Sequence, residues 1–146
     1  MPVVNLSTGL KNFLLDGGSF KGAFDANSFL KLYNGAVPAS ADDAEATLLC
    51  TLSVDADGTT GLGFGTAAGG VLSKDGAETW KGENVASGTA THFRLVQESD
   101  TGASSATQLR VQGDVAVAGA TVNLSSVNLT SGADQTIDSF NVVQPG

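Results

Sequence analysis

The chain has few of the residues that do chemistry. Its 146 residues include one cysteine, one histidine, one tyrosine, one tryptophan and three prolines. A lone Cys50 excludes an internal disulfide, and its place in the apolar run Leu48-Leu49-Cys50-Thr51-Leu52 predicts a buried, inert thiol. No run approaches the ~20 apolar residues of a membrane-spanning helix, so no membrane partner is expected. Met1-Pro2-Val3-Val4-Asn5 lacks a basic stretch followed by an apolar one, so no signal peptide is expected either. A reducing cytoplasm is the expected place of synthesis, which makes the sequons at Asn5, Asn123 and Asn128 chance matches. Positive charge is scarce: seven Lys and Arg stand against fifteen Asp and Glu, for a net charge of −8. Such a chain repels phosphate, so direct nucleic-acid binding is not expected, whereas a basic protein surface would suit it.

Glycine, in contrast, is abundant at nineteen residues, and so many marks a chain of many turns. Near the N-terminus the apolar spacing is helical. Ser7 is a candidate cap for a helix with Leu10, Phe13 and Leu14 on one face, stopped by Asp16-Gly17-Gly18. Ser19 would cap a second short helix carrying Phe20, Ala23 and Phe24 as far as Asn27. Both are too short to hold alone, so their stripes need a partner surface: the chain's own sheet or another subunit.

From Phe29 the period changes to two. Strands are predicted at Phe29–Tyr33, Thr47–Val54, Leu62–Phe64, Val71–Ser73, Thr79–Trp80, Thr89–Val96, Gln108–Gln112, Asp114–Val117, Thr121–Leu129 and Thr136–Val143, some of them fragments of one strand. Turn signals separate them at Asn34-Gly35, Asp55-Ala56-Asp57-Gly58, Asp75-Gly76 and Gly132-Ala133-Asp134. In Thr89–Val96, Phe93 and Leu95 fall on one face and His92 and Arg94 on the other. The pentad Val122–Ser126 recurs as Val127–Ser131, and a five-residue shift reverses side-chain parity, so a bend or bulge is predicted near Ser125-Ser126. About eight or nine strands with no helix between them predict an all-β antiparallel sandwich, barrel or jelly roll. The expected organisation is an N-terminal helical arm, residues 1–28, and a β-sandwich domain, residues 29–146.

No constellation meets the requirements of an active site, so no catalytic residue, cofactor or metal ligand is assigned and no enzyme is expected. His92 has no evident nucleophile or carboxylate oriented beside it and reads as a surface or interface histidine. Asp55-x-Asp57-Gly58 opens like a calcium loop but lacks the later ligands, and Gly61-x-Gly63-x-Gly65 lacks the following helix of a dinucleotide fingerprint. Tyr33 and Trp80 are too few for a sugar-stacking platform and read as core packing or a subunit contact. Candidate protein-contact residues are Leu10, Phe13, Leu14, Phe20 and Phe24 on the arm and His92 and Arg94 on the strand.

Three segments resemble a group of small tailed-bacteriophage virion proteins. They are Ser7–Leu15 with Gly18–Lys21; Phe29–Gly35 with Pro38–Asp42 and Thr47–Leu49; and Gly70–Lys74 with Glu78–Trp80, Ala86–Ala90 and Phe93-Arg94. With the closing Thr136–Phe140, the resemblance spans nearly the whole chain. It implies a non-enzymatic virion component, most like a capsid decoration (cement) protein on the capsid exterior. The implied partners are the major capsid protein and the chain itself, as a homodimer or homotrimer. The implied role is to brace the head against internal DNA pressure; a tail, neck or head-fibre protein or a host-surface adhesin is the alternative.

Overall fold

The computed structural model describes residues 4–143. The outermost residues of both expected domains, 1–3 and 144–146, lie outside the described residues. Two short helices and twelve strands follow one another: β1 (Val4–Leu6), α1 (Thr8–Leu15), α2 (Phe20–Phe24), β2 (Ser28–Asn34), β3 (Thr47–Val54), β4 (Val71–Ser73), β5 (Trp80–Glu83), β6 (Gly88–Thr89), β7 (His92–Gln97), β8 (Arg110–Ala116), β9 (Val122–Asn123), β10 (Asn128–Leu129), β11 (Asp134–Ile137) and β12 (Asn141–Val143). The fold is all-β and antiparallel apart from one short parallel pair, β8 with β9, as the strand spacing predicts.

The main sheet runs β1-β8-β7-β2-β3-β5-β11, and β9 joins β8 beyond the end of β1. Two-stranded ribbons, β6 with β10 and β4 with β12, stand beside it. Register places Leu30 opposite both Leu95 and Leu52, Leu32 opposite Phe93 and Cys50, and Leu95 opposite Val111. These residues make one apolar face. The opposite face carries Tyr33 beside His92, Lys31 beside Arg94, Arg94 beside Gln112 and Val96 beside Arg110. The alternation read from Phe93 and Leu95 against His92 and Arg94 therefore holds.

The apolar face is covered by a chain of aromatic edges. Phe20 touches Phe24 and Phe64, Phe64 touches Trp80 and Phe140, and Phe140 meets Phe93, with ring centroids 4.9–6.3 Å apart. Trp80 is fully buried, and its indole N–H donates to the Glu78 carboxylate at 3.2 Å.

The first 28 residues are not a separate arm. β1 pairs with β8, and Leu10, Ala23 and Phe24 lie in the same core as Leu30, Phe93 and Trp80. Ser7 ties them in. Its Oγ accepts from the Leu10 amide as N-cap, accepts from the Arg110 amide at 2.9 Å and donates to the Gln108 carbonyl at 2.8 Å. Helix α1 stops as expected, with Gly17 at φ +96° and the Gly18 amide returning to the Phe13 carbonyl.

Three predicted strands differ. Leu62–Phe64 makes one isolated bridge, Phe64 with Lys74, and not a strand, as the Gly63 and Phe64 amides are taken by the carboxylates of Glu78 and Asp25. Thr89–Val96 breaks at Ala90-Thr91, where the Ala90 amide turns to Val127 and the Thr91 amide to Tyr33. Thr136–Val143 splits into β11 and β12, which pair with different partners and leave Phe140 between them in the aromatic core. The repeated pentads also separate at Ser125-Ser126: Val122 pairs beside β8 and Leu129 beside β6, so both copies turn apolar residues inward.

Gly9 of α1 lies directly against the backbone of Thr107 and Gln108, where an added Cβ would come within 2.4 Å of a carbonyl oxygen. Gly9→Ala should therefore lower stability by about 1–3 kcal/mol through overpacking. A urea midpoint unchanged from the parent chain would show that α1 is loosely held.

Candidate functional site

The polar face of the sheet is not open to solvent. Two connecting segments, residues 36–46 between β2 and β3 and residues 98–109 between β7 and β8, fold across it as a roof. Burying a polar sheet face under loops leaves many backbone carbonyls away from water, and each needs a donor. Both arginines of the chain supply them.

Arg110 is 1% exposed. Its Nε donates to Asp100 Oδ2 at 2.6 Å and its Nη2 to Asp100 Oδ1 at 2.9 Å, a bidentate fork. Its remaining N–H groups reach the carbonyls of Ala41, Asp43 and Ala103. Arg94, also 1% exposed, donates from Nε to Gln112 Oε1 at 2.9 Å and from Nη1 to the Asp43 carbonyl at 2.8 Å. The Asp43 carbonyl is thus shared by both guanidinium groups. Gln112 passes the connection on by donating to the Pro38 carbonyl at 2.9 Å.

The roof is also stitched to itself and to α1. The Glu45 amide donates to the Gly102 carbonyl and the Ser105 amide to the Asp42 carbonyl, both at 2.8 Å. The Asp42 carboxylate accepts from the amide and hydroxyl of Thr8 at 2.7 and 2.6 Å, which holds its carboxyl below the usual range. For Asp100, burial works to raise the carboxyl, but the Arg110 hydrogen bonds and charge and the Gly102 amide outweigh it and leave it lowered. Tyr33 donates to Glu45 at 2.5 Å, and burial, followed by that carboxylate, raises its hydroxyl.

His92 lies under the same roof, fully buried and stacked on Tyr33 with centroids 5.2 Å apart. Its Nδ1 is 2.8 Å from Thr91 Oγ1. The same hydroxyl lies 2.8 Å from the Gly35 carbonyl and 3.3 Å from the Tyr33 carbonyl, so Thr91 links the imidazole to the end of β2. The other nitrogen, Nε2, is buried without a hydrogen-bond partner. Burial, with the Arg94 charge adding to it, pushes the imidazole down to about 4.

The expected contact residues are therefore placed inside. Leu10 and Phe24 are fully buried, and Phe13, Leu14 and Phe20 are half-buried against the same core, because the sheet itself is the surface their stripes required. His92 and Arg94 are not at the surface, because the roof covers their face. Arg110, Asp100 and Gln112 carry as much of the arrangement and were not singled out from the sequence. The signal for Arg110 and Gln112 is the alternation in Gln108–Gln112, which matches that of His92–Val96 once the two are paired as a hairpin; Asp100, in the loop between them, carries no such signal. Cys50 is buried, with its thiol pushed up to about 12, first by desolvation. Asp57 closes its turn by accepting from the Thr59 and Thr60 amides, while Asp55 and Ala56 adopt φ of +53° and +61°. Gly61 and Gly63 leave room for the carboxylates of Glu98 and Glu78.

The outer surface is acidic. With both arginines inside and Asp100 the one buried acid, five lysines and fourteen acids remain at the surface, a net of −9. A groove of about 350 Å³ lies where the roof meets the sheet edge, lined by Asn5, Val37, Pro38, Gln112, Gly113 and Asp114. Among the described residues no group of three or more His, Cys, Asp or Glu side chains is placed to hold a metal ion.

Arg110→Lys keeps the charge but loses the fork, so the segments 36–46 and 98–109 should become protease-sensitive. Arg110→Ala should lower stability by about 3–5 kcal/mol, since it strands Asp100 as a buried charge. Full protease resistance of the lysine variant would contradict the roof's dependence on that fork. His92 has a second signature. Its folded value of about 4 lies below its ordinary 6.5, so the unfolded chain takes up the proton first. The stability it contributes is present above about pH 6.5 and is lost as pH falls toward about 4. The urea midpoint should fall over that window, and His92→Gln should flatten the fall; equal slopes would contradict it.

Compared with family models, with curated proteins and with solved structures, the chain matches none of them.

Proposed function

We propose that this chain is a structural virion protein, a capsid decoration or cement protein that binds the outside of the major capsid protein lattice and braces the head against internal DNA pressure. The observation that carries the reading is the use made of the chain's few reactive side chains. Both arginines, the histidine, the tyrosine and the tryptophan are committed to holding loops and core together.

A brace has to resist deformation, and a roof fixed by charge-assisted hydrogen bonds to backbone carbonyls does so without a disulfide or metal. The outward face that remains carries a net charge of −9, which suits a basic face on a lattice and is repelled by the packaged genome. Many copies on a repeating lattice turn weak single contacts into firm attachment. The resemblance of Ser7–Leu15, Phe29–Gly35 and Gly70–Lys74 to tailed-phage virion proteins points the same way. The jelly-roll form and the homodimeric or homotrimeric state belong to this proposal.

Quantitative mass spectrometry of purified particles tests it. Hundreds of copies per particle, and heads that burst more readily without the protein, are expected. A copy number of about a dozen or fewer would instead favour a tail, neck or fibre position, where lattice avidity cannot operate.

A further inference from the structure

We propose that Asn34-Gly35, at the foot of the roof, is a site of spontaneous deamidation that converts this protein into a more acidic form. It is the one Asn-Gly step in the sequence. It stands where β2 ends and the segment 36–46 begins, so its geometry governs how the roof leaves the sheet.

The reaction needs a free nucleophile and a free electrophile, and both are present. The nucleophile is the Gly35 backbone nitrogen. Its N–H makes no hydrogen bond among the described residues. Gly35 is exposed, sits at φ +94° and has open space where a side chain would be. Its carbonyl is fixed by Thr91 Oγ1 at 2.8 Å, so the residue is anchored on one side only. The electrophile is the Asn34 side-chain carbon. That carboxamide makes no hydrogen bond either, and it rests beside Gly88, where an added Cβ would come within 2.9 Å of its nitrogen.

The steps balance with water as the one co-reactant. Hydroxide takes the Gly35 amide proton, and the nitrogen attacks Asn34 Cγ, forming a carbon–nitrogen bond. The side-chain nitrogen leaves with a proton from water as ammonia, and a five-membered succinimide remains. Water then opens one of its two carbonyls. Cleavage at the side-chain carbonyl gives aspartate; cleavage at the main-chain carbonyl gives isoaspartate. The net change is one amide and one water converted to one carboxylic acid and one ammonia, with no redox step. Either product adds a negative charge beside β3, where Asn34 pairs with Thr47. The isoaspartate route also inserts a methylene into the main chain leading to the roof.

The chain contains its own control. Asn27-Ser28 also pairs asparagine with a small residue, but Ser28 is buried, is held in register with Gln97 and carries a Cβ. The full chain is incubated, folded, at mildly alkaline pH, and its peptides are followed by mass and chromatography. The Asn34 peptide should gain about one dalton at least about tenfold faster than the Asn27 peptide, and it should split into aspartate and isoaspartate forms. Asn34→Gln should remove the acidic isoform that accumulates in the whole protein. Equal rates at Asn34 and Asn27, or conversion to aspartate with no isoaspartate, would overturn the proposal. Because the readout is wild-type peptide mass, failure of a variant to fold leaves the test intact.

Discussion

The structure depends on two guanidinium groups placed on the polar side of a β-sheet. A sheet with one apolar face ordinarily leaves its other face to water. Here Arg94 and Arg110 stand on neighbouring strands of that second face, and each donates to several acceptors. Burying charge is unfavourable unless every donor is matched. The match comes from Gln112 on β8 and from Asp100 and the carbonyls of Ala41, Asp43 and Ala103, and all but Gln112 lie in the segments that form the roof. The arginines need the roof to be satisfied, and the roof needs the arginines to be closed. That mutual requirement turns two long polar loops into part of the folded interior, and it draws in the cap of α1 through Ser7 and Asp42.

Much of the local structure was legible from residue order. Ser7 and Ser19 cap the helices they were expected to cap, Asp57 and Gly58 turn the chain, and Phe93 and Leu95 face the core. These features are set by neighbours along the chain. What was not legible arises from partners far away in sequence. Leu62–Phe64 has the apolar spacing of a strand, but two distant carboxylates claim its amides. His92 and Arg94 have the polar alternation of a solvent-facing edge, and only the pairing of β7 with β8 and the return of residues 36–46 bury them. The helical stripes were correctly read as needing a surface; the sheet that supplies it is formed largely by later residues.

The proposed role rests on what is left outside. Once the arginines are enclosed, positive charge at the surface is confined to lysines, and Lys21 and Lys74 donate to nearby carbonyls while Lys81 pairs with Asp134. The exterior is acidic, and a groove opens at the edge of the roof. A scaffold of this kind is suited to presenting a stiff face to a larger assembly, which is the basis of the proposed place on a capsid. The histidine adds a constraint on conditions: buried beside Arg94 with one nitrogen unpartnered, it favours the fold only while neutral.

The central claim is that the roof belongs to the rigid interior and is not a pair of surface loops resting on it. Hydrogen exchange of the Glu45, Gly102 and Ser105 amides tests this most directly, because their acceptors lie within the roof itself. These three amides should exchange as slowly as the core amides of β7, opening only when the whole chain unfolds. Fast exchange at all three, with β7 still protected, would show that the loops open on their own and that the arginines do not close them.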